Sequence, residues 1–263
     1  WFRQGRDRYF VPVAVKIPGA DIELARSGGA ESAKLDFLGE IRDARGGLQG
    51  SVRDEVTIRL KGERMGQLAS RSLQYDTGFT LPPGVYTLKF LARENESGKM
   101  GTFETKFSIP DLTAEQRRLP ISSVVLSNQR QRLSDSVAVA ERNKRLLAVN
   151  PLVVGNEKLA PSVTRVFRKD QEMFVFLEAY QPEARSNGYI VALVSFFRGK
   201  VKAFETAPLQ IAEGPDERTR AVPVSFRVPL KSLAPGRYTL QVNVLNPADK
   251  KFAVWRSPMV LLP

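Results

Sequence analysis

Two residue types are missing from this chain of 263 residues: it has no cysteine and no histidine. Without cysteine there is no disulfide, no thiolate nucleophile and no cysteine-based zinc site. Without histidine the commonest general base and the commonest metal ligand are gone. Most hydrolase triads and most transition-metal sites are therefore excluded by composition. The lack of disulfides does not decide the compartment, because it is compatible with either side of a membrane. Long apolar runs are missing as well. None approaches the roughly 18–20 residues that a membrane helix needs, and runs such as Met259 to Leu262 are of strand length. No charged-then-apolar leader is visible. The chain opens on Trp1 rather than Met, and we read it as a mature or excised fragment of a longer protein.

What is present is the balance of a globular chain, 42% apolar and 26% charged. The length exceeds one small sandwich and suits two domains. Seventeen prolines and nineteen glycines are enough to punctuate many short strands. Period-two alternation predicts strands over Tyr9–Ile17, Lys34–Asp43, Ser51–Leu60, Leu73–Leu81, Val85–Arg93 and Thr102–Ile109. A second series runs over Ile121–Leu126, Ser162–Arg168, Glu172–Tyr180, Tyr189–Arg198, Val201–Ile211, Val222–Val228, Arg237–Leu245 and Phe252–Leu261. Such spacing, with turn residues between, is the pattern of β-sandwiches.

One internal match links the two series. Leu81-Pro82-Pro83-Gly84-Val85-Tyr86-Thr87-Leu88 aligns with Leu233-Ala234-Pro235-Gly236-Arg237-Tyr238-Thr239-Leu240. In both, Pro-Gly makes a turn and a tyrosine enters the next strand two residues on. This is the pattern of a tyrosine corner, whose phenol bonds back to the backbone. We therefore expect an all-β fold of two tandem immunoglobulin-like or fibronectin type III-like sandwiches. The expected division is 1–110 and 121–263, with a linker over 111–120. Ser134 or Asp135 as a cap makes a short helix near 134–148 one reading; Val137 and Val139 also permit a strand there.

Candidate chemistry is sparse. Asp76-Thr77-Gly78 matches the active-site triplet of aspartic proteases, but that chemistry needs a second carboxylate from a second copy. No second copy exists in the sequence, so a polar bend or bulge inside a strand is the better reading. Glu94, Asn95 and Glu96, and Asn246 with Asp249, offer oxygens without the spacing of a calcium loop; both read as solvated turns. No phosphate-cradling glycine loop is present. We expect no enzyme, no metal and no cofactor.

The charge is the remaining candidate: 40 Lys and Arg against 28 Asp and Glu, a net +12. Gln116–Ser134 carries Arg117, Arg118, Arg130 and Arg132 with no carboxylate, and Ala184–Phe204 carries Arg185, Arg198, Lys200 and Lys202 with none either. Arg117, Arg118, Arg130, Arg132, Arg198, Lys200 and Lys202 are the candidate binding residues, for an anionic polysaccharide, cell-wall polymer or lipid surface. Phe196 and Phe197 beside these cations suggest base stacking. Alternation sends the two rings to opposite faces, however, and charges of both signs are mixed elsewhere, which disfavours nucleic acid.

Several passages together carry a resemblance. They include Asp36-Phe37-Leu38-Gly39-Glu40-Ile41-Arg42-Asp43, Tyr75-Asp76-Thr77-Gly78-Phe79-Thr80-Leu81-Pro82-Pro83-Gly84, Leu119-Pro120-Ile121-Ser122-Ser123-Val124-Val125-Leu126-Ser127 and Pro258-Met259-Val260-Leu261-Leu262-Pro263. The chain resembles the C-terminal region of the von Willebrand factor A-related proteins of acidobacteria. That resemblance implies an export signal and an A-type domain N-terminal to this region, and it transfers no catalytic residue. The function expected is that of an exported, non-enzymatic stalk or interaction platform. It would meet a protein partner, with the A-type domain itself as one candidate.

Overall fold

The computed structural model describes residues 1–27, 30–61, 72–112, 117–133, 148–181 and 188–263. The short helix that is one reading of 134–148 falls largely outside these residues. The described chain is all-β and divides into two compact bodies. One contains Phe10–Pro110. The other joins Trp1–Tyr9 to Asp111–Arg132 and Pro151–Pro263. The first nine residues thus pack with the C-terminal body, where the Arg3 N–H donates to the Tyr180 hydroxyl at 2.8 Å and the Ser123 N–H donates to the Trp1 carbonyl at 3.0 Å.

In chain order the strands begin with β1 (Phe2–Arg3), β2 (Tyr9–Pro18), β3 (Ala25–Ser27), β4 (Ala30–Asp43), β5 (Leu48–Lys61), β6 (Ser72–Leu81), β7 (Gly84–Glu94) and β8 (Met100–Ile109). One 3-10 turn, Gly19–Asp21, follows β2. In the N-terminal body β2 lies beside β6, and a larger sheet runs β3-β4-β7-β8 with β5 also paired to β4. Aromatic side chains make the core. Phe37 of β4 stacks on Tyr75 of β6 with ring centroids 4.0 Å apart, and Phe90 of β7 leans on both. The Tyr75 hydroxyl donates to Asp54, and burial together with that carboxylate pushes the phenol above its ordinary range.

The C-terminal body continues with β9 (Val125–Ser127), β10 (Arg130–Arg132), β11 (Val153–Val154), β12 (Glu157–Leu159), β13 (Val166–Arg168), β14 (Glu172–Tyr180), β15 (Ile190–Arg198), β16 (Val201–Glu205), β17 (Leu209–Ile211), β18 (Ala221–Pro229), β19 (Gly236–Asn246) and β20 (Lys251–Leu262). One sheet is β18-β14-β9; the other is β13-β20-β19-β15-β16, with β17 also on β15. Alternate residues of both sheets fill one core between them. Met173, Val175, Leu177 and Ala179 of β14 and Val222, Val224 and Val228 of β18 meet Ala192, Val194 and Phe196 of β15 and Leu240, Val242 and Val244 of β19. That is the layered arrangement the alternation required, because only every second side chain of a strand can face the core.

Three strands differ markedly from the sequence reading. Ile121–Leu126 gives way to Val125–Ser127, with Ile121 left as an isolated bridge to Ala179. Val201–Ile211 splits into β16 and β17 around Thr206-Ala207-Pro208, since Pro208 has no N–H for a ladder bond. Thr206 turns the break to use, accepting the Val194 N–H on its hydroxyl and donating its own N–H to the Val194 carbonyl. Ser162–Arg168 shortens to Val166–Arg168, preceded by Arg165 at φ +53°.

Candidate functional site

Both tyrosine corners form. The Tyr86 hydroxyl donates to the Pro82 carbonyl at 2.8 Å, and the Tyr238 hydroxyl donates to the Ala234 carbonyl at 2.6 Å, four residues back in each case. The geometry explains the preceding glycine. A Cβ on Gly84 would sit 3.0 Å from the Tyr86 hydroxyl. Gly236 has φ +148°, and its Cβ would fall 2.7 Å from a nitrogen of Arg198. The repeat is architectural, and the two copies differ in one respect. Phe107 packs on Tyr86, whereas Tyr238 has the Arg198 guanidinium over its ring.

The seven basic candidates fall in three places. Arg117 and Arg118 lie just before Pro120, and Arg130 and Arg132 lie on β10. Arg198, Lys200 and Lys202 lie on the β15–β16 hairpin. All seven are exposed. Several are engaged by neighbours. Arg198 donates to the carbonyls of Ala234 and Pro235 and to the Tyr238 hydroxyl. Lys202 pairs with Glu205 at 2.9 Å, and Arg130 reaches Glu157 at 4.0 Å while lying over the Phe174 ring. Phe196 is fully buried against Phe204 and Tyr238, and Phe197 is half-buried.

Asp76-Thr77-Gly78 lies within β6, with Asp76 and Thr77 both buried. Asp76 accepts from the Gln74 amide, and the Phe10 ring occupies the space where a Gly78 Cβ would stand. The triplet is a close-packed strand segment. Glu94 staples its own hairpin, accepting from the Glu96 and Ser97 N–H groups and from the Ser97 hydroxyl. Burial opposes ionisation of that carboxyl, but these bonds prevail and hold it below the usual range. Asn246 and Asp249 bond to each other across a turn in the same fashion. Among the described residues no three acidic side chains gather to hold a metal ion. Among the same residues no helix is long and apolar enough to cross a membrane.

A half-buried carboxyl lies in the C-terminal body. Burial pushes Glu178 up to about 7, although the Tyr180 hydroxyl donates to it at 2.8 Å; nearby Asp216 adds to the rise. Tyr180 is itself raised, first by burial and then by Glu178.

The feature absent from the sequence reading is on β8. Phe103 and Met100 are 64% and 63% exposed. A cleft of about 460 Å³ lies beside them, lined by Val15 and Ile17 of β2, by Ile22, and by Leu35 and Phe90. A smaller one, about 360 Å³, covers Leu38, Lys89 and Leu91. The sequence carries the strand, but alternation does not say which strand closes a sheet.

No family model matches the chain, and no curated protein matches it. Solved structures give distant likenesses. An Escherichia coli alpha-2-macroglobulin activated by porcine elastase is 10% identical over 96% of this chain and 23% of its own, with a TM-score of 0.29. A Salmonella alpha-2-macroglobulin mutant, Y1175G, is 9% identical over 91% of this chain and 22% of its own, at 0.31. The Salmonella protein reacted with methylamine is 8% identical over 96% and 25%, at 0.30. The chain spans a quarter or less of the length of these proteins.

Proposed function

We propose that the chain is a non-enzymatic module of an exported protein and acts as a stalk or protein-interaction platform. The immunoglobulin-like or fibronectin type III-like character of its two bodies and its place beside a von Willebrand factor A-type domain are part of this proposal; the first rests on the strand spacing and the two tyrosine corners, the second on the sequence resemblance. One observation carries the choice of protein over polyanion. Arg198, the best-placed cation of the hairpin, is spent on the Tyr238 corner, and Lys202 and Arg130 face carboxylates, while large apolar side chains stay exposed on strands. Phe252 and Val254 on β20, 60% and 49% exposed, are examples besides Met100 and Phe103. Exposed apolar groups on a regular strand suit contact with another protein.

The competing role is binding of an anionic polymer through the basic stretches. The two differ in their response to salt, because counterion release makes polyanion binding weaken steeply with ionic strength. The test measures binding of the chain to an A-type domain of the family it resembles, with heparin as the polyanion. Retention of the domain at high ionic strength, with weak or no heparin binding, is the expected result. Tight heparin binding lost on K200A/K202A, with no affinity for the domain, overturns it.

A further inference from the structure

β8 ends its sheet. Its register with β7 is unbroken from Gly84↔Ile109 to Arg93↔Met100, and among the described residues no other strand pairs with it. The Glu94 N–H donates to the Lys99 carbonyl, so Lys99 turns its backbone polar groups toward β7. Those groups change sides at each residue of an antiparallel strand. Thr102, Glu104, Lys106 and Ser108 therefore turn theirs away from β7, to the open edge. Such an edge is ordinarily blunted by proline, a bulge or many charges. β8 reads Met-Gly-Thr-Phe-Glu-Thr-Lys-Phe-Ser-Ile, with no proline, no bulge and one charge of each sign. β5, paired only to β4, makes the contrast: its ladder carries a register shift opposite Ile41 and Arg42, and Arg53, Asp54, Glu55 and Arg59 crowd its length.

Residues directly opposite in a ladder share a face. Glu40, Lys89 and Glu104 stand opposite one another across β4, β7 and β8, so charge alternates along that row and stops on a carboxylate. Lys89 reaches Glu104 at 3.2 Å. Two residues along, the row of Arg42, Thr87 and Lys106 stops on an ammonium. Glu104 and Lys106 are both exposed. On the core face Phe103 stands opposite Phe90, and Phe107 opposite Tyr86. Phe90 is 5% exposed and Phe103 is 64% exposed. Phe107 is half-buried, its ring centroid 5.5 Å from that of Tyr86.

This edge is its own complement. When two β8 strands pair antiparallel, outward-turned residues must meet outward-turned residues, so the two-fold axis passes through a residue. With the axis at Thr105, each Glu104 meets the Lys106 of the second copy, each Phe103 meets a Phe107, and each Thr102 meets a Ser108. With the axis at Glu104 or Lys106, like charges stand face to face, which is destabilising. With the axis at Phe103 or Phe107, both charges stand opposite uncharged residues. In the Thr105 register Pro110 falls opposite Met100 and ends the ladder, having no N–H to give. Exposed ion pairs contribute little, so the charges choose the register. The main-chain bonds and the Phe103–Phe107 pairs, which cover the exposed ring, supply the contact.

We propose that β8 is a self-association edge, through which two copies of the chain pair antiparallel about an axis at Thr105 and join their sheets into one. Charge complementarity within the strand names the occupant as a second copy. The inference goes beyond the interaction-platform reading and does not depend on it.

Residues 101–109 of each copy make a small contact, at or below the roughly 1,200 Å² that opens the range of stable interfaces, so the dimer should be weak. Sedimentation velocity of the whole chain, from about 5 to about 500 μM, should pass from monomer to dimer. Glu104→Lys and Lys106→Glu should each weaken dimerisation roughly tenfold or more, because each sets like charges opposite at two places in the symmetric pair. An equimolar mixture of the two variants should dimerise again, since one copy then offers two cations and the other two carboxylates. Recovery in the mixture also shows that both variants fold. With rising concentration of the wild type, hydrogen exchange should slow at the Thr102, Glu104, Lys106 and Ser108 amides and stay as it was on β5. A chain that is monomeric throughout overturns the proposal. So does a dimer indifferent to both substitutions, and so does a mixture of variants with wild-type unfolding midpoints that fails to recover. Protection gained elsewhere but not on β8 overturns it whatever the variants do. Each of these outcomes leaves the platform reading standing, because binding of a different protein is measured separately.

Discussion

The Arg198 guanidinium lies over the Tyr238 ring, 5.1 Å from its centroid, and donates to the carbonyls of Ala234 and Pro235 that flank the corner. A residue marked by its sequence as a surface cation thus locks the turn that the repeat marked as architecture. The planar fork suits this task, because one group can reach neighbouring acceptors while stacking on the ring.

Arg198→Ala should destabilise the C-terminal body by about 1 kcal/mol, whereas Lys200→Ala should leave it unchanged. Arg198→Lys should recover little of the loss. A double-mutant cycle with Tyr238→Phe, read by urea unfolding, should show coupling between the two positions. Additive effects would separate the guanidinium from the corner.

The corners themselves should be worth a hydrogen bond each. Tyr86→Phe and Tyr238→Phe keep the ring and remove the bond to Pro82 or Ala234. Each should cost about 1 kcal/mol. Thermal unfolding by circular dichroism checks this, and an unchanged midpoint for either variant would show that its phenol bond contributes nothing.

Gly78→Ala tests the packing reading of the Asp-Thr-Gly segment. The new methyl would stand 2.3 Å from the nearest Phe10 ring atom, so ring or strand must shift. Overpacking of this kind costs roughly 1–3 kcal/mol. Asp76→Asn gives the complementary check on function. It should abolish activity if the triplet were catalytic, and we expect no proteolytic activity in the wild type against casein at acidic pH.

Glu178 makes stability depend on pH. Its carboxyl sits at about 7 in the fold against an ordinary 4.5, so the folded state holds a proton that the unfolded chain has already lost. The contribution is complete below about 4.5 and is lost as pH rises through about 7. The shift corresponds to roughly 3 kcal/mol between those limits. Glu178→Gln retains an oxygen for the Tyr180 hydroxyl and removes the titration. Its advantage over wild type should therefore grow between pH 5 and pH 8 in parallel denaturant titrations. A pH-independent difference would place the Glu178 titration elsewhere.

Much of the architecture was legible because strands write a period of two into the chain. Glu172–Tyr180 was bounded as it occurs, and the Pro-Gly-x-Tyr repeat pointed to two phenol-to-backbone bonds four residues back. Those features are local, so neighbouring residues suffice to specify them. The expected strand over Val201–Ile211 broke at a proline for an equally local reason that the alternation obscured.

What the sequence could determine, then, was periodicity, turns and corners, together with the chemistry excluded by having no cysteine and no histidine. Which cations remain available was decided by tertiary structure. Arg198 meets Tyr238 across 40 residues of chain. The edge was decided there too. Phe90 and Phe103 are both phenylalanines on alternating strands, facing one side of one sheet, yet one is core and the other is surface. The difference depends on how far the opposing layer extends, a long-range property that no local pattern encodes.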